Sequence, residues 1–527
     1  MGTSKYSHWF DTSASMRPVT EGNLTDFFTT GEEAFADLAD RLEVDAGAKA
    51  VCYLLGWSCD INTTVRAVAS PAGITLGQSL SYFAKQGGAA HAMLWDNTLM
   101  TTAGCADAVK HISSLPGGSS AILDHRTPLA GAHHQKIQIV VPSPDHGADD
   151  AGLVAATAYC GGMDIFVDRI GPASLHDVHC KIRGPAADDL VKVFQERWND
   201  HPDHSAGLSD RTSVVLAGGN SLVQVCNTYP TFQSQLSYSF LLSRYLPVIN
   251  EQLKGSGVPT TGDMRVNGSI RLYNFYDTSK GVQQVWRAVK KAIAEAKRFI
   301  YLEDQYLTNK WAGDALAAKL ASATDDFRIV IVVLHPDFAD VEQIWPRRRG
   351  VFATLLAADP RRKRWTVVHR RADKPHAYVH SKTWIFDDEL VITGSANADR
   401  RGYTYNSETD VVVAGDVASL AVTTPGATTV AQDLRARLFA KHLGGKPSDY
   451  LNPVTSLKKW FGDLSRTSVA VFNPSAKVGA PDKYLVKLQA AAITTPIVQG
   501  ALNFMRGRPE DWLWDYLEDP DAAVPSP

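Results

Sequence analysis

Two stretches of this chain carry residue types and spacings that can do chemistry. His380-Ser-Lys382-Thr-Trp-Ile-Phe-Asp387 reads H-x-K-x4-D and is followed by Gly394-Ser395-Ala-Asn397; upstream, His134-Gln-Lys136 precedes Gly161-Gly162-Met-Asp164. A histidine and a lysine two positions apart on a strand share one face, because successive side chains alternate. Each pair therefore sets a nitrogen nucleophile or acid beside a fixed positive charge. Two such pairs facing each other suffice for phosphoryl transfer without a metal.

A histidine that works through one ring nitrogen needs an acceptor to orient the other. Glu408, in Asn406-Ser-Glu408, suits His380, and Asp177, in His176-Asp177-Val178-His179, is its counterpart for His134. The distances agree: 16 residues from Gly161 to Asp177 and 14 from Gly394 to Glu408. Ser395 and Asn397, just past a return strand, are placed to donate to phosphate oxygens. Asp387 lies an odd number of positions from His380, so it projects away from the site and should hold the turn. The upstream copy has Val141 at that position and a longer loop over 142–152, where Asp145 is the candidate substitute.

The elements that must carry these residues repeat. Phe35, Leu38 and Leu42 mark a helix, Val51 to Leu55 a strand, Leu76 to Ala84 a helix and Met93 to Trp95 a strand, before the motif at His134. In the second half Val282, Val285, Trp286, Val289 and Ile293 recur at helical spacing, then come the strand Phe299 to Glu303, a helix around Leu316 to Leu320, the strand Ile329 to Leu334 and the motif hairpin from Tyr378. Helix, strand, helix, strand, hairpin occurs twice, which predicts an α/β fold of two pseudo-symmetric repeats, each a mixed sheet flanked by helices. The expected division is 1–205 and 266–450 for the repeats, 206–265 for a turn-rich connection with a helix over 238–248, and 451–527 for a C-terminal extension of the second lobe holding Trp512 and Trp514.

Hydrophobic content of 44% and charged content of 21% are ordinary for a globular protein, and the net charge of -3 argues against wholesale nucleic-acid binding. No apolar run approaches the roughly 18 residues of a membrane span, and the start lacks a secretory pattern, so a cytoplasmic or mature secreted form is expected. The six cysteines form no C-x-x-C pair and read as buried free thiols, with Cys160 and Cys180 as the alternative disulfide. His176 and His179 as metal ligands, and a weak calcium loop at Asp145, Asp149 and Asp150, are outweighed by a strand and a solvated turn. The runs Arg347-Arg-Arg349 and Arg361-Arg-Lys-Arg364 read first as solvated helix faces; Trp345 and Trp365 beside them favour contact with an anionic lipid surface.

The sequence resembles the phospholipase D superfamily, through HHQK (133–136), GGMD (161–164), HDVHCKIRGPAA (176–187), YLEDQY (301–306), YVHSK (378–382), GSAN (394–397) and NSE (406–408). The wording is similar to that of the lipid-cleaving members. A lone H-x-K means nothing, as His179-Cys-Lys181 shows; the ordered pair with glycine tails is specific. The resemblance implies an active site at the interface of the repeats, with His134 as nucleophile, His380 as general acid and base, and Lys136, Lys382 and Asn397 neutralising the phosphate. It also implies that Gln305 and Ser395 meet the substrate, and that Asp164 either does so or only caps its turn. No metal or other cofactor is implied. The implied function is a phospholipase D acting as a monomer at a phospholipid membrane surface, with a nucleic-acid phosphodiesterase or a lipid-binding pseudo-enzyme as alternatives.

Overall fold

A computed structural model describes residues 5–67, 73–96, 104–124, 126–127, 131–144, 155–208, 215–216, 218–230, 273–335, 345–417 and 424–473. The helix expected over 238–248, Asp145, Asp149, Asp150, Trp512 and Trp514 lie outside these residues.

The two halves build the same sheet twice. In the second, Phe299–Asp304 has Arg328–Val333 and then Trp365–Arg370 as parallel neighbours on one side; on the other run Lys382–Phe386, Leu390–Gly394 and Glu408–Gly415, all antiparallel. In the first, Val51–Gly56 has Ala89–Trp95 and Ser120–Asp124 in parallel, then Ile137–Val141, Thr157–Gly161 and His179–Arg183 antiparallel. The inner strands are buried along their length, as their near-continuous apolar runs require. A mixed sheet flanked by helices in each half is the fold the repeat predicted.

Two further strands join the halves. Ser221–Tyr229, within the segment expected as a connection, pairs with Glu408–Gly415 and is buried at every position. Val19–Phe28 pairs at its start with that strand and, past a register shift, with Arg183 to His179. Several helices begin on side-chain caps: Thr30 accepts from Glu33, Thr75 forms a capping box with Gln78, and Thr429 accepts from Gln432. Val282 does not start the helix expected there: Val282–Gln283 pairs with Tyr229 and Thr228, and the helix runs Gln284–Glu295 with Val285, Trp286, Val289 and Ile293 buried.

Asp387 does more than hold its turn. Asp387 and Asp388, the central residues of the turn that Glu389 N–H closes on Phe386 O, both have positive φ, 56° and 60°. The Asp387 carboxylate then accepts from the backbone N–H groups of Lys297, Arg298 and Phe299 at 2.6, 2.8 and 2.7 Å, pinning the hairpin to the start of the central strand. Val141 lies in the apolar core instead, and the equivalent tie comes from Ser143, whose N–H donates to Asp45 O and whose hydroxyl donates to Ala48 O.

Two expectations for the basic runs are corrected. Arg348 is fully buried and donates to the carbonyls of Gln305, Tyr306 and Leu334, so the first run is not simply a solvated face. Trp365 is fully buried in the core, packed near Phe352, so it is no membrane anchor. All six cysteines are free and buried; Cys160 and Cys180 sit opposite each other on paired strands without a bond. Among the described residues no helix is long and apolar enough to cross a membrane.

Candidate active site

Each motif histidine is clamped to the opposite half by a short parallel bridge. His134 N–H donates to Ser407 O at 2.9 Å, and Ser407 N–H to Ala132 O at 2.9 Å. In the mirror-image arrangement His380 N–H donates to His176 O at 2.8 Å, and His176 N–H to Tyr378 O at 2.8 Å. The residue that follows each clamp is a carboxylate. Glu408 therefore lands on His134, with its two oxygens 3.0 and 2.9 Å from Nδ1, and Asp177 lands on His380, 2.7 Å from Nδ1.

This reverses the pairing expected from the spacing, which assigned each carboxylate to the histidine of its own half. The cause is the clamp: backbone pairing across the halves, not distance along the chain, decides which carboxylate reaches which ring. It also redirects Ser395, expected to meet the substrate. Ser395 is fully buried and its hydroxyl donates to Glu408 at 2.5 Å, while Asn406 donates to the other Glu408 oxygen at 3.0 Å and accepts from Ala132 N–H. Gly162 is the first-half counterpart of Ser395. A side chain there would lie 2.1 Å from an Asp177 oxygen, so the glycine is what lets that carboxylate approach.

The lysines are held differently. Lys382 Nζ donates to Gln305 Oε1 at 3.1 Å and to His380 O; Gln305 is in turn fixed by donating to Tyr378 and Tyr306. Gln305 thus positions a lysine from behind. Lys136 Nζ donates to His134 O at 2.9 Å, lies 3.2 Å from Asp164 and sits 5.9 Å from the centroid of the Trp57 ring. Trp57, which also presents an edge to His134, was not foreseen. Aligning Val51-Cys-Tyr-Leu-Leu-Gly-Trp57 with Phe299-Ile-Tyr-Leu-Glu-Asp-Gln305 would have found it as the counterpart of Gln305.

That alignment also explains Asp164. In the second half Asp304 ends the central strand and caps the following turn, accepting from Tyr306 and Leu307 N–H. In the first half Gly56 stands there, and Asp164 reaches in to cap Trp57 and Ser58 N–H; its Oδ1 lies 3.5 Å from where a Gly56 side chain would begin. Asp164 therefore caps the turn and pairs with Lys136 at once. Asn397, its counterpart, has no such duty, and its buried Oδ1 has no hydrogen-bond partner. The third H-x-K is spent elsewhere: His179 bonds Gln138 and Lys181 bonds Asp37.

Burial, then the charges of Lys136 and Lys382, hold His134 well below the usual imidazole range. Burial, then Lys382, Arg169 and Lys136, do the same to His380. Each lysine thus acts on the histidine of the other half, so the two pairs share one site. Burial pushes Glu408 up to about 8 and brings Lys382 down to about 8. Once its carboxylate is ionised, which for Glu408 means above about 8, a neutral imidazole donating Nδ1–H presents a bare Nε2, the form a nucleophile or base requires.

The family described as "Phospholipase D" matches residues 168–315, and "Cardiolipin synthase, PLD-like domain" matches 289–424. The matches take in His380 and both carboxylates but begin after His134. Phospholipase D alpha 1 of Ricinus communis is 22% identical over 563 residues, spanning 83% of this chain and 66% of its own length. Phospholipase D alpha 2 of Oryza sativa subsp. japonica is 24% identical, spanning 79% and 64%. The chain thus spans just under two thirds of the length of these relatives. Among solved structures, a phosphatidylserine synthase of Haemophilus influenzae Rd KW20 aligns over 90% of this chain and 94% of its own, with a TM-score of 0.49 and 10% identity.

Proposed function

This chain belongs to the phospholipase D superfamily, and on that premise we propose that it is a phosphodiesterase that hydrolyses glycerophospholipids such as phosphatidylcholine at a membrane surface. The observation that carries this reading is the pair of histidines in one site, each with Nδ1 on a buried carboxylate and a lysine beside it.

His134 Nε2 attacks phosphorus and the headgroup alcohol leaves with a proton from His380 Nε2, giving a phosphohistidine. Water, losing a proton to His380, then attacks phosphorus; the P–N bond breaks, phosphatidic acid departs and both rings return to their first state. A primary alcohol in place of water yields an exchanged phospholipid. Lys136, Lys382 and the Asn397 amide neutralise the non-bridging oxygens as charge builds. Before substrate binds, burial and the neighbouring cations hold His380 neutral; the phosphodiester brings a negative charge next to it, so its proton is taken up with substrate. The net charge of -3 supports lipid over nucleic acid as substrate.

The test is choline release from phosphatidylcholine vesicles in EDTA, with and without ethanol. Release that disappears in His134→Ala, with phosphatidylethanol formed when ethanol is present, is the expected result. Full activity in His134→Ala sinks the mechanism, and cleavage of single-stranded DNA with no lipid turnover sinks the substrate class.

A further inference from the structure

Beneath the His380 clamp lies a polar cluster that the proposed chemistry does not use. Glu303, on the central strand of the second half, accepts from His176 Nε2 at 2.8 Å, from His442 Nε2 at 2.7 Å and from the Tyr301 hydroxyl at 2.5 Å. All four residues are fully buried. Arg370 donates to His442 Nδ1 at 2.9 Å and to Pro375 O at 2.8 Å. Because an arginine can only donate, His442 Nδ1 is an acceptor and its proton sits on Nε2, directed at Glu303. Burial keeps His442 and His176 neutral, at about 4 and about 3.

The cluster has the residue types of a metal site, and its ligand atoms lie within 4.8 Å of one another. Its contacts argue otherwise. Donors that ligate one ion at about 2.0 to 2.2 Å stand roughly 3 Å or more apart. Here nitrogen and oxygen meet directly at 2.7 and 2.8 Å, with the protons already placed.

Its position is the informative part. The carbonyl of His176 accepts both His380 N–H and Ser381 N–H, and the next residue is Asp177, the carboxylate on His380. In the first half the counterpart of Glu303 is Leu55, and the counterpart of His176 is Ser407, so among the described residues the His134 clamp lacks this histidine–glutamate cluster. We infer that Glu303, His442 and Arg370 are positioning residues that grip the His176 imidazole and so fix the Asp177–His380 pair, while the His134–Glu408 pair is held without them. The inference rests on the proposed function in giving His380 two proton transfers per turnover, the role that most needs a constant geometry.

The experiment compares His442→Leu, His442→Gln and Glu303→Gln in the full chain. Leucine fills the space without a donor; glutamine keeps a donor to Glu303. Residue-resolved amide exchange should show protection at His380 and Ser381 falling about tenfold in His442→Leu and Glu303→Gln, with His134 unchanged and His442→Gln near wild type. With a p-nitrophenyl phosphodiester, whose leaving group needs no acid, the two disrupted variants should keep a stoichiometric burst while steady turnover falls about ten- to hundredfold. Equal loss of protection at His134 and His380, no loss at either, or loss in His442→Gln matching that in His442→Leu overturns the inference. Exchange is read without turnover, so a protein that cleaves no lipid still tests the grip, and a failed grip leaves the phosphodiesterase reading intact.

Discussion

His134 takes its orienting carboxylate from Glu408, 274 residues away in the other half of the molecule, and His380 takes Asp177 across a gap of 203. Neither half owns a complete histidine–carboxylate pair. Each ring is functional only when the halves are packed, because the bridges at Ser407 and His176 that deliver the carboxylates are contacts between halves.

The crossed pairing separates the two carboxylates kinetically. Glu408→Gln should abolish the burst of p-nitrophenol from an activated diester, since His134 loses the acceptor that orients its nucleophilic nitrogen. Asp177→Asn should keep the burst and lose turnover. Each should lower steady-state rate by about 10³- to 10⁴-fold, the scale on which removing an orienting carboxylate from a catalytic histidine acts. The opposite assignment of burst loss would restore the within-half pairing.

Asn397 and Asp164, equivalent in position, should differ in effect. Asn397 caps no turn and, among the described residues, its buried Oδ1 has no hydrogen-bond partner, so Asn397→Ala should lower kcat by about 10²-fold with little change in melting temperature. Asp164 holds Trp57 and Ser58 N–H, so Asp164→Ala should lower melting temperature as well as rate. Thermal denaturation beside initial-rate kinetics on both variants decides it.

The pH profile of kcat/KM should be a narrow bell centred near 8. Below about 8 the extra proton on the Glu408–His134 pair leaves Nε2 protonated, so the acid limb rises as that proton is lost. Lys382, also at about 8, loses its charge above that pH and gives the falling limb. Lys382→Arg, which cannot lose its charge, should retain the rising limb and lack the falling one. A flat profile across this range contradicts both assignments.

Asp387 is predicted to matter for stability and not for chemistry. Asp387→Ala strands three backbone N–H groups at the start of the central strand and should cost about 3 to 5 kcal/mol in urea unfolding. Val141→Asp should not stabilise the first half, because Ser143 already makes the tie and position 141 packs in the core.

Much of this was legible in the sequence because it is written locally. Apolar runs bounded by turn residues locate Phe299–Asp304 and Val51–Gly56, and helical spacing locates Gln284–Glu295 to within two residues. The H-x-K pairs with their glycine tails identify the chemistry, since few other tasks need those types in duplicate. Less legible were Ser395 and Gln305, which act through Glu408 and Lys382. A polar residue near a motif looks the same in sequence whether it faces substrate or stands behind a side chain that does.

The sequence by itself determined the strands, the duplicated motifs and the identity of the reactive groups, because side-chain periodicity and residue chemistry are properties of short segments. The tertiary structure alone decided which carboxylate serves which histidine, that Asp164 does the capping left undone at Gly56, and that the His380 clamp rests on a buried histidine–glutamate cluster. Those choices depend on backbone hydrogen bonds between residues hundreds of positions apart, and such contacts leave no period in the chain to be read.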